Sequence, residues 1–217
     1  MTLVRQFIQS MPATIDCQHF CQNITAFIRF IYTRMGTDME KLHKHPTERM
    51  AASAAIYSQW HKEVWLVGDC QCLIDGQFHD NPKPYEQPVA EMRSAYIRLQ
   101  LKQGKRPTDF QQHDSGRDFV LPVLIDSCQY QNKTFAVIDG FNMPFEKVKV
   151  LDVSHAHEII LATDGYPFLF PTLAESEQAI ARQLADDPLC IRHFKATKGL
   201  MLGRQSFDDR SYIRFQP

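Results

Sequence analysis

The run Glu158-Ile159-Ile160-Leu161-Ala162-Thr163-Asp164-Gly165 places a carboxylate just past an apolar, strand-forming stretch, with a glycine that lets the backbone turn sharply beneath it. Farther along, Ser206-Phe207-Asp208-Asp209-Arg210-Ser211 sets two adjacent carboxylates in front of a closing run, Ser211 to Phe215, that alternates like a strand. If those two strands are neighbours, Asp164 and Asp208 converge on an oxygen-rich pocket suited to a hard divalent cation such as Mg²⁺ or Mn²⁺. Asp-Gly is also common hairpin punctuation. It recurs at 75, 139 and 164, and in isolation it reads as a turn; Asp139 is read that way.

The other candidates for chemistry are weaker. Cys17 and Cys21 sit one helical turn apart but lack a second ligand pair for zinc, so thiols are expected. His155 and His157 would share one face of a strand, yet they fall in a polar connection, as do His43 and His45, and exposure accounts for them. Surface salt bridges account for Arg93, Arg117 and Arg210.

The elements that must position these residues begin with helices. Leu3, Val4, Phe7, Ile8 and Met11 recur at helical spacing up to Pro12, and Asp16 caps a longer helix whose stripe from Phe20 to Met35 ends at Gly36. Thr37 to Arg49 reads as an exposed loop. Ala51 to Tyr57 reads as a strand, Val64 to Ile74 as one long strand, and Asp75-Gly76 as a tight hairpin turn. Val89 to about Gln103 has helical spacing, and Gly104 to Gly116 reads as polar loop. Phe119 to Ile125, Phe135 to Ile138, Val148 to Leu151 and Glu158 to Ala162 read as short strands, making the second half mostly strand. Thr172 and Glu175 form a capping box for one more helix, which stops at Asp186-Asp187-Pro188.

Composition bounds the rest. The chain has 217 residues, 44% apolar, enough for one domain with a sizeable core. The expected organisation is a single domain, 1–217, helical over 1–36 and sheet-rich with crossover helices over 50–217. With 24 Lys+Arg against 25 Asp+Glu, a formal charge of -1 gives no field for a polyanion, and nucleic acid is excluded as a partner on that ground. No apolar run approaches a membrane span, and the opening residues lack the apolar core of a secretory signal, so a cytoplasmic location is expected.

The order of the larger pieces resembles the type-2C metal-dependent serine/threonine protein phosphatases, the PPM family. Ala51-Ala52-Ser53-Ala54-Ala55-Ile56-Tyr57 precedes Val64-Trp65-Leu66-Val67-Gly68-Asp69-Cys70, where the family has a strand containing Gly-Asp-Ser. Ile160-Leu161-Ala162-Thr163-Asp164-Gly165 is similar to the family's strand ending in Ser-Asp-Gly, and Asp208-Asp209-Arg210-Ser211-Tyr212-Ile213 to its closing Asp-Asn-x-Ser/Thr strand. The resemblance runs from about residue 50 onward. It implies an α/β (α+β) fold: a layered αββα sandwich of two mainly antiparallel sheets flanked by helices, here missing the first strands.

By the same resemblance Asp164 and Asp208 would be metal ligands for Mg²⁺ or Mn²⁺, Gly165 would shape the turn, and Asp69 would support the site. The implied activity is hydrolysis of a phosphoserine or phosphothreonine protein, or a small phosphomonoester, by metal-activated water. The family's opening strand with an acidic residue and the following strand ending in Asp-Gly have no counterpart here, so low or absent turnover is expected. The alternative is a non-catalytic regulatory or interaction domain on the same scaffold. A glycoside hydrolase using a carboxylate pair is a third, weaker reading, since the aromatics follow core periodicity. An incomplete sheet exposes an edge, and self-association is expected from it.

Overall fold

A computed structural model describes residues 2–217 of the chain as a mixed α/β structure with two antiparallel sheets. The first helices form where their apolar spacing puts them. Helix α1 (Thr2–Ser10) buries Val4 and Phe7, and α2 (Cys17–Arg34) starts at Asp16, whose side chain accepts the His19 N–H. Thr37 to Arg49 is not a plain loop. Asp38 accepts the N–H groups of Glu40 and Lys41 and starts α3 (Met39–Lys44), which buries Leu42.

The first sheet has the order β1 (Ala54–Ser58), β2 (Glu63–Val67), β5 (Lys149–Asp152). The second has the order β4 (Gln77–Asp80), β3 (Gln71–Ile74), β6 (Ile159–Ala162), β7 (Tyr212–Phe215). The expected long strand from Val64 to Ile74 is therefore two strands in different sheets. Its break is Gly68, whose φ is +74° and whose missing Cβ would lie 2.2 Å from Ser53 Oγ, so that no larger residue fits the bend. The hairpin at Asp75-Gly76 forms as its residues dictate, with positive φ at both positions.

Three apolar layers stack the two sheets with helices on either side, and a fourth cluster joins Ile97, Phe110, Leu189 and Ile191. Phe20, Ile24 and Ile28 of α2 pack on Ile56, Trp65 and Val67 of the first sheet, with the Phe20 and Trp65 rings 5.6 Å apart. Val64 and Leu66 of the same sheet turn the other way, onto Cys72, Ile159 and Leu161 of the second, so the alternation of β2 serves two layers. On the far side, Ala162 packs with Ile180 and Leu184 of α7 (Leu173–Asp186), the helix started by Thr172 and Glu175.

The middle of the chain departs most from the sequence reading. Helix α4 (Glu86–Lys102) is as expected, but the polar segment after it holds α5 (Pro107–Gln112). Phe119 to Ile125 is not a strand: it lies in α6 (Ser115–Ser127), which Asp114 starts by accepting the Arg117 N–H and Gly116 seats against Ile97 of α4. Phe135 to Ile138 forms only isolated bridges, Gln131 to Phe135 and Ala52 to Ile138. The second half is consequently not mostly strand, since β5, β6 and β7 have four residues each. Arg93 is no surface residue either. Its side chain is fully buried, pairs with Asp114 at 2.6 Å, and donates to the carbonyls of Leu189 and Ala196. Among the described residues, no helix is long and apolar enough to cross a membrane.

Candidate metal centre

The bend that separates the sheets also presents Asp69. Its side chain is only 8% exposed, and Oδ1 accepts a 2.6 Å hydrogen bond from Ser53 Oγ, the hydroxyl that Gly68 makes room for. Oδ2 accepts from Lys83 Nζ, which reaches in from the proline-rich turn before α4 and stands 3.7 Å from Glu86 Oε1. Glu86 opens α4, and Asp164 follows β6. Carboxylate oxygens of Asp69, Glu86 and Asp164 all lie within 4.8 Å of one another.

Three carboxyls so close cannot all hold their ordinary charge. Partial burial of the carboxyl, then the charges of Asp69 and Asp208, push Asp164 up to about 6, although the residue as a whole is exposed. Burial also drives Glu86 up to about 7; the Lys83 ammonium pulls it back, while the Asp69 charge and the hydrogen bond Glu86 donates to Asp69 raise it further. For Asp69 burial works upward as well, but the Lys83 charge and the hydrogen bonds from Lys83 and Ser53 outweigh it, and the group stays below the usual carboxylate range. The result is one firmly ionised, neutralised carboxylate, Asp69, flanked by two that give up protons only near neutrality.

This donor set fits a hard divalent cation. All three ligands offer carboxylate oxygen, one ammonium cancels one charge, and two negative charges remain once Asp164 and Glu86 ionise. Among the described residues no other group of three or more His, Cys, Asp or Glu converges in this way.

Asp208 lies on the neighbouring segment. Strands β6 and β7 are antiparallel partners, Ser211 O accepts the Thr163 N–H at 3.2 Å, and Ser211 N–H donates to Thr163 Oγ1 at 3.0 Å. Asp208 acts electrostatically on Asp164, yet it stands outside the oxygen trio. Its Oδ1 accepts Lys198 Nζ at 2.5 Å and the Asp209 N–H at 2.9 Å. Behind it Arg210 pairs with Glu177, which also accepts the Tyr166 hydroxyl at 2.7 Å.

Among the sequence candidates, Asp164 is thus brought to Asp69, and Asp208 beside them. Glu86 and Lys83 were not singled out in the sequence; nothing marks them but Lys83's place within the Asn81-to-Pro84 turn and Glu86's just after it, and their partner Asp69 comes from the bend between the sheets. Asp139 is fully buried and taken up by Arg49 at 3.0 Å, Asn132 at 2.8 Å and the Phe141 N–H at 2.9 Å, the role of a turn residue. Cys17 and Cys21 are buried thiols, and the exposed His157 ring stands 3.5 Å from Asp75.

The chain matches no family model, no curated protein and no solved structure.

Proposed function

We propose that this chain is a phosphatase-2C-like domain that holds one Mg²⁺ or Mn²⁺ at Asp164 and acts on phosphomonoesters, with phosphoserine or phosphothreonine proteins as the substrate class. The observation that carries the reading is the meeting of the Asp164-Gly165 turn with Asp69 and Glu86, beside Asp208 on the adjacent strand segment. The arrangement of apolar layers, α2 on one sheet, the second sheet behind it and α7 beyond, supports the αββα layering that goes with it.

A bound divalent cation in such a site lowers the pKa of a coordinated water and offsets charge on phosphoryl oxygens. The chain's own residues do the rest. Asp164 and Glu86 supply oxygen ligands and release protons as they do so. Asp69 is held in place by Ser53 and Lys83, and Lys83 limits the negative charge of the pocket to what one cation satisfies. Among the described residues no fourth His, Cys, Asp or Glu joins the trio, whose charge beside Lys83 matches one divalent cation. Low turnover is expected from a single cation held by these residues, since a nucleophilic water there would lack the placement that a second cation would give it.

The second reading, a non-catalytic regulatory or interaction domain on the same scaffold, is favoured by one observation: Lys83 already occupies Asp69, and Glu86 keeps its proton up to about pH 7. Hydrolysis of p-nitrophenyl phosphate and of a phosphothreonine peptide with Mn²⁺, Mg²⁺ or EDTA, beside Asp164→Ala, separates the readings. Metal-dependent turnover lost with Asp164 supports the enzyme. Mn²⁺ binding without turnover supports the second reading, and Mn²⁺ binding that survives Asp164→Ala and Asp208→Ala together removes the site.

A further inference from the structure

Among the described residues the second sheet ends at β7, which pairs with β6 and with no strand on its other side. Ser211 O accepts the Thr163 N–H, so by the alternation of antiparallel pairing Ser211, Ile213 and Phe215 turn their backbone groups toward β6, whereas Tyr212 and Arg214 turn theirs outward. The side chains follow the opposite logic. Ile213 is the register partner of Leu161 and shares its face, the one that looks toward the first sheet, yet it is 56% exposed. Beside it opens an apolar cleft of about 340 Å³, walled by Ala55 and Ile56 of β1, Leu161 of β6 and Ile8 of α1. The apolar layer between the sheets is thus uncovered where β7 forms the edge, and although that edge is short and carries Arg214, paired with Glu158, its outward-turned N–H and C=O groups remain a template for strand addition.

The sequence of β7 is complementary to itself. Set antiparallel to a second β7 about a twofold axis through Ile213, each Ile213 meets the other at a non-hydrogen-bonded position, where side chains come closest. Tyr212 then faces Arg214 of the other copy on both sides of the axis, and it is these two residues whose N–H and C=O groups point outward. The opposite face gains two Tyr–Arg pairs with cation–π character. Such an interface is isologous and closes on itself. We infer that two copies of this chain join edge to edge through β7, continuing the second sheet from one copy into the other and laying each Ile213 over the other's open cleft. This inference rests on β7 and its cleft and is independent of the metal centre.

Sedimentation of the full chain at about 100 µM, a concentration that populates a micromolar dimer, reads the outcome. The expected result is a dimer that Ile213→Lys converts to monomer, with an unchanged circular-dichroism melt at a dilution where the wild type is itself monomeric, since the side chain is exposed in the single chain. If Ile213→Lys fails to fold, Ile213→Cys decides: oxidation gives a disulfide-linked dimer on a non-reducing gel, against a wild-type background kept low by five buried thiols and a half-buried Cys128. A monomeric wild type, including one that takes up a strand from another polypeptide instead, overturns the inference. So does a dimer that Ile213→Lys leaves intact or that Ile213→Cys does not cross-link.

Discussion

Gly165 lies so close to Asp209 that a Cβ on it would stand 2.2 Å from the Asp209 carbonyl oxygen. The turn carrying Asp164 and the segment carrying Asp208 are in backbone contact, and that closeness, rather than the freedom of a positive φ, is what calls for glycine here.

Gly165→Ala therefore pushes the two segments apart. Its expected effect is a loss of Mn²⁺ affinity of about tenfold, the scale seen when groups that orient metal ligands are disturbed. Calorimetric titration with Mn²⁺ measures it, and an unchanged affinity would show that Asp208 contributes nothing to the site.

Asp139 gives the opposite pattern. Fully buried and bonded to Arg49 and Asn132, it leaves a buried guanidinium without its partner when replaced by Ala, at a cost of about 3–5 kcal/mol. Urea denaturation of Asp139→Ala reads the loss. Mn²⁺ binding by the protein that remains folded is expected to match the wild type.

Arg93 and Arg210 differ in the same way. Arg93→Ala strands Asp114 inside the protein and leaves two carbonyls without their donor, for about 3–5 kcal/mol, while Arg210→Ala breaks a partly exposed pair worth about 1 kcal/mol or less. Comparing the two thermal melts tests the ranking, which equal shifts would refute.

The carboxyls of the metal centre set a pH dependence with a definite sign. Asp164 rises from 3.8 to about 6 and Glu86 from 4.5 to about 7, so the folded chain binds more protons than the unfolded one between those limits. The stability they contribute is complete below about pH 4 and is lost as pH rises through 6 and 7. In EDTA the chain is expected to be more stable at pH 5 than at pH 7.5, by roughly 1 kcal/mol after allowance for solvent screening. Mn²⁺ reverses the trend, because it competes with those protons. Urea melts at the two pH values, with and without Mn²⁺, read both signs, and greater stability at pH 7.5 in EDTA would contradict the assignment.

Elements whose signal is local were legible in the sequence. Asp16 and Thr172 start helices where side-chain oxygen meets helical spacing, and Asp75-Gly76 turns a hairpin because both positions take positive φ. The region from 115 to 127 misled because Phe119, Val120, Leu121, Val123 and Ile125 imitate strand composition. Asp114, poised to cap the Arg117 N–H, was the contrary sign. At the metal centre Asp164 was marked by its strand and glycine. Glu86 and Lys83 carry no such mark, since they matter only through Asp69, which reaches them by a bend that a run of apolar residues conceals.

That bend at Gly68 has a mechanical consequence. Because β2 and β3 are one short stretch of chain shared between the sheets, neither sheet can open without dragging a strand of the other. Amide hydrogens of Leu66 in the first sheet and Leu73 in the second should exchange through the same global event, so the two sheets behave as a single cooperative unit despite having separate strand ladders.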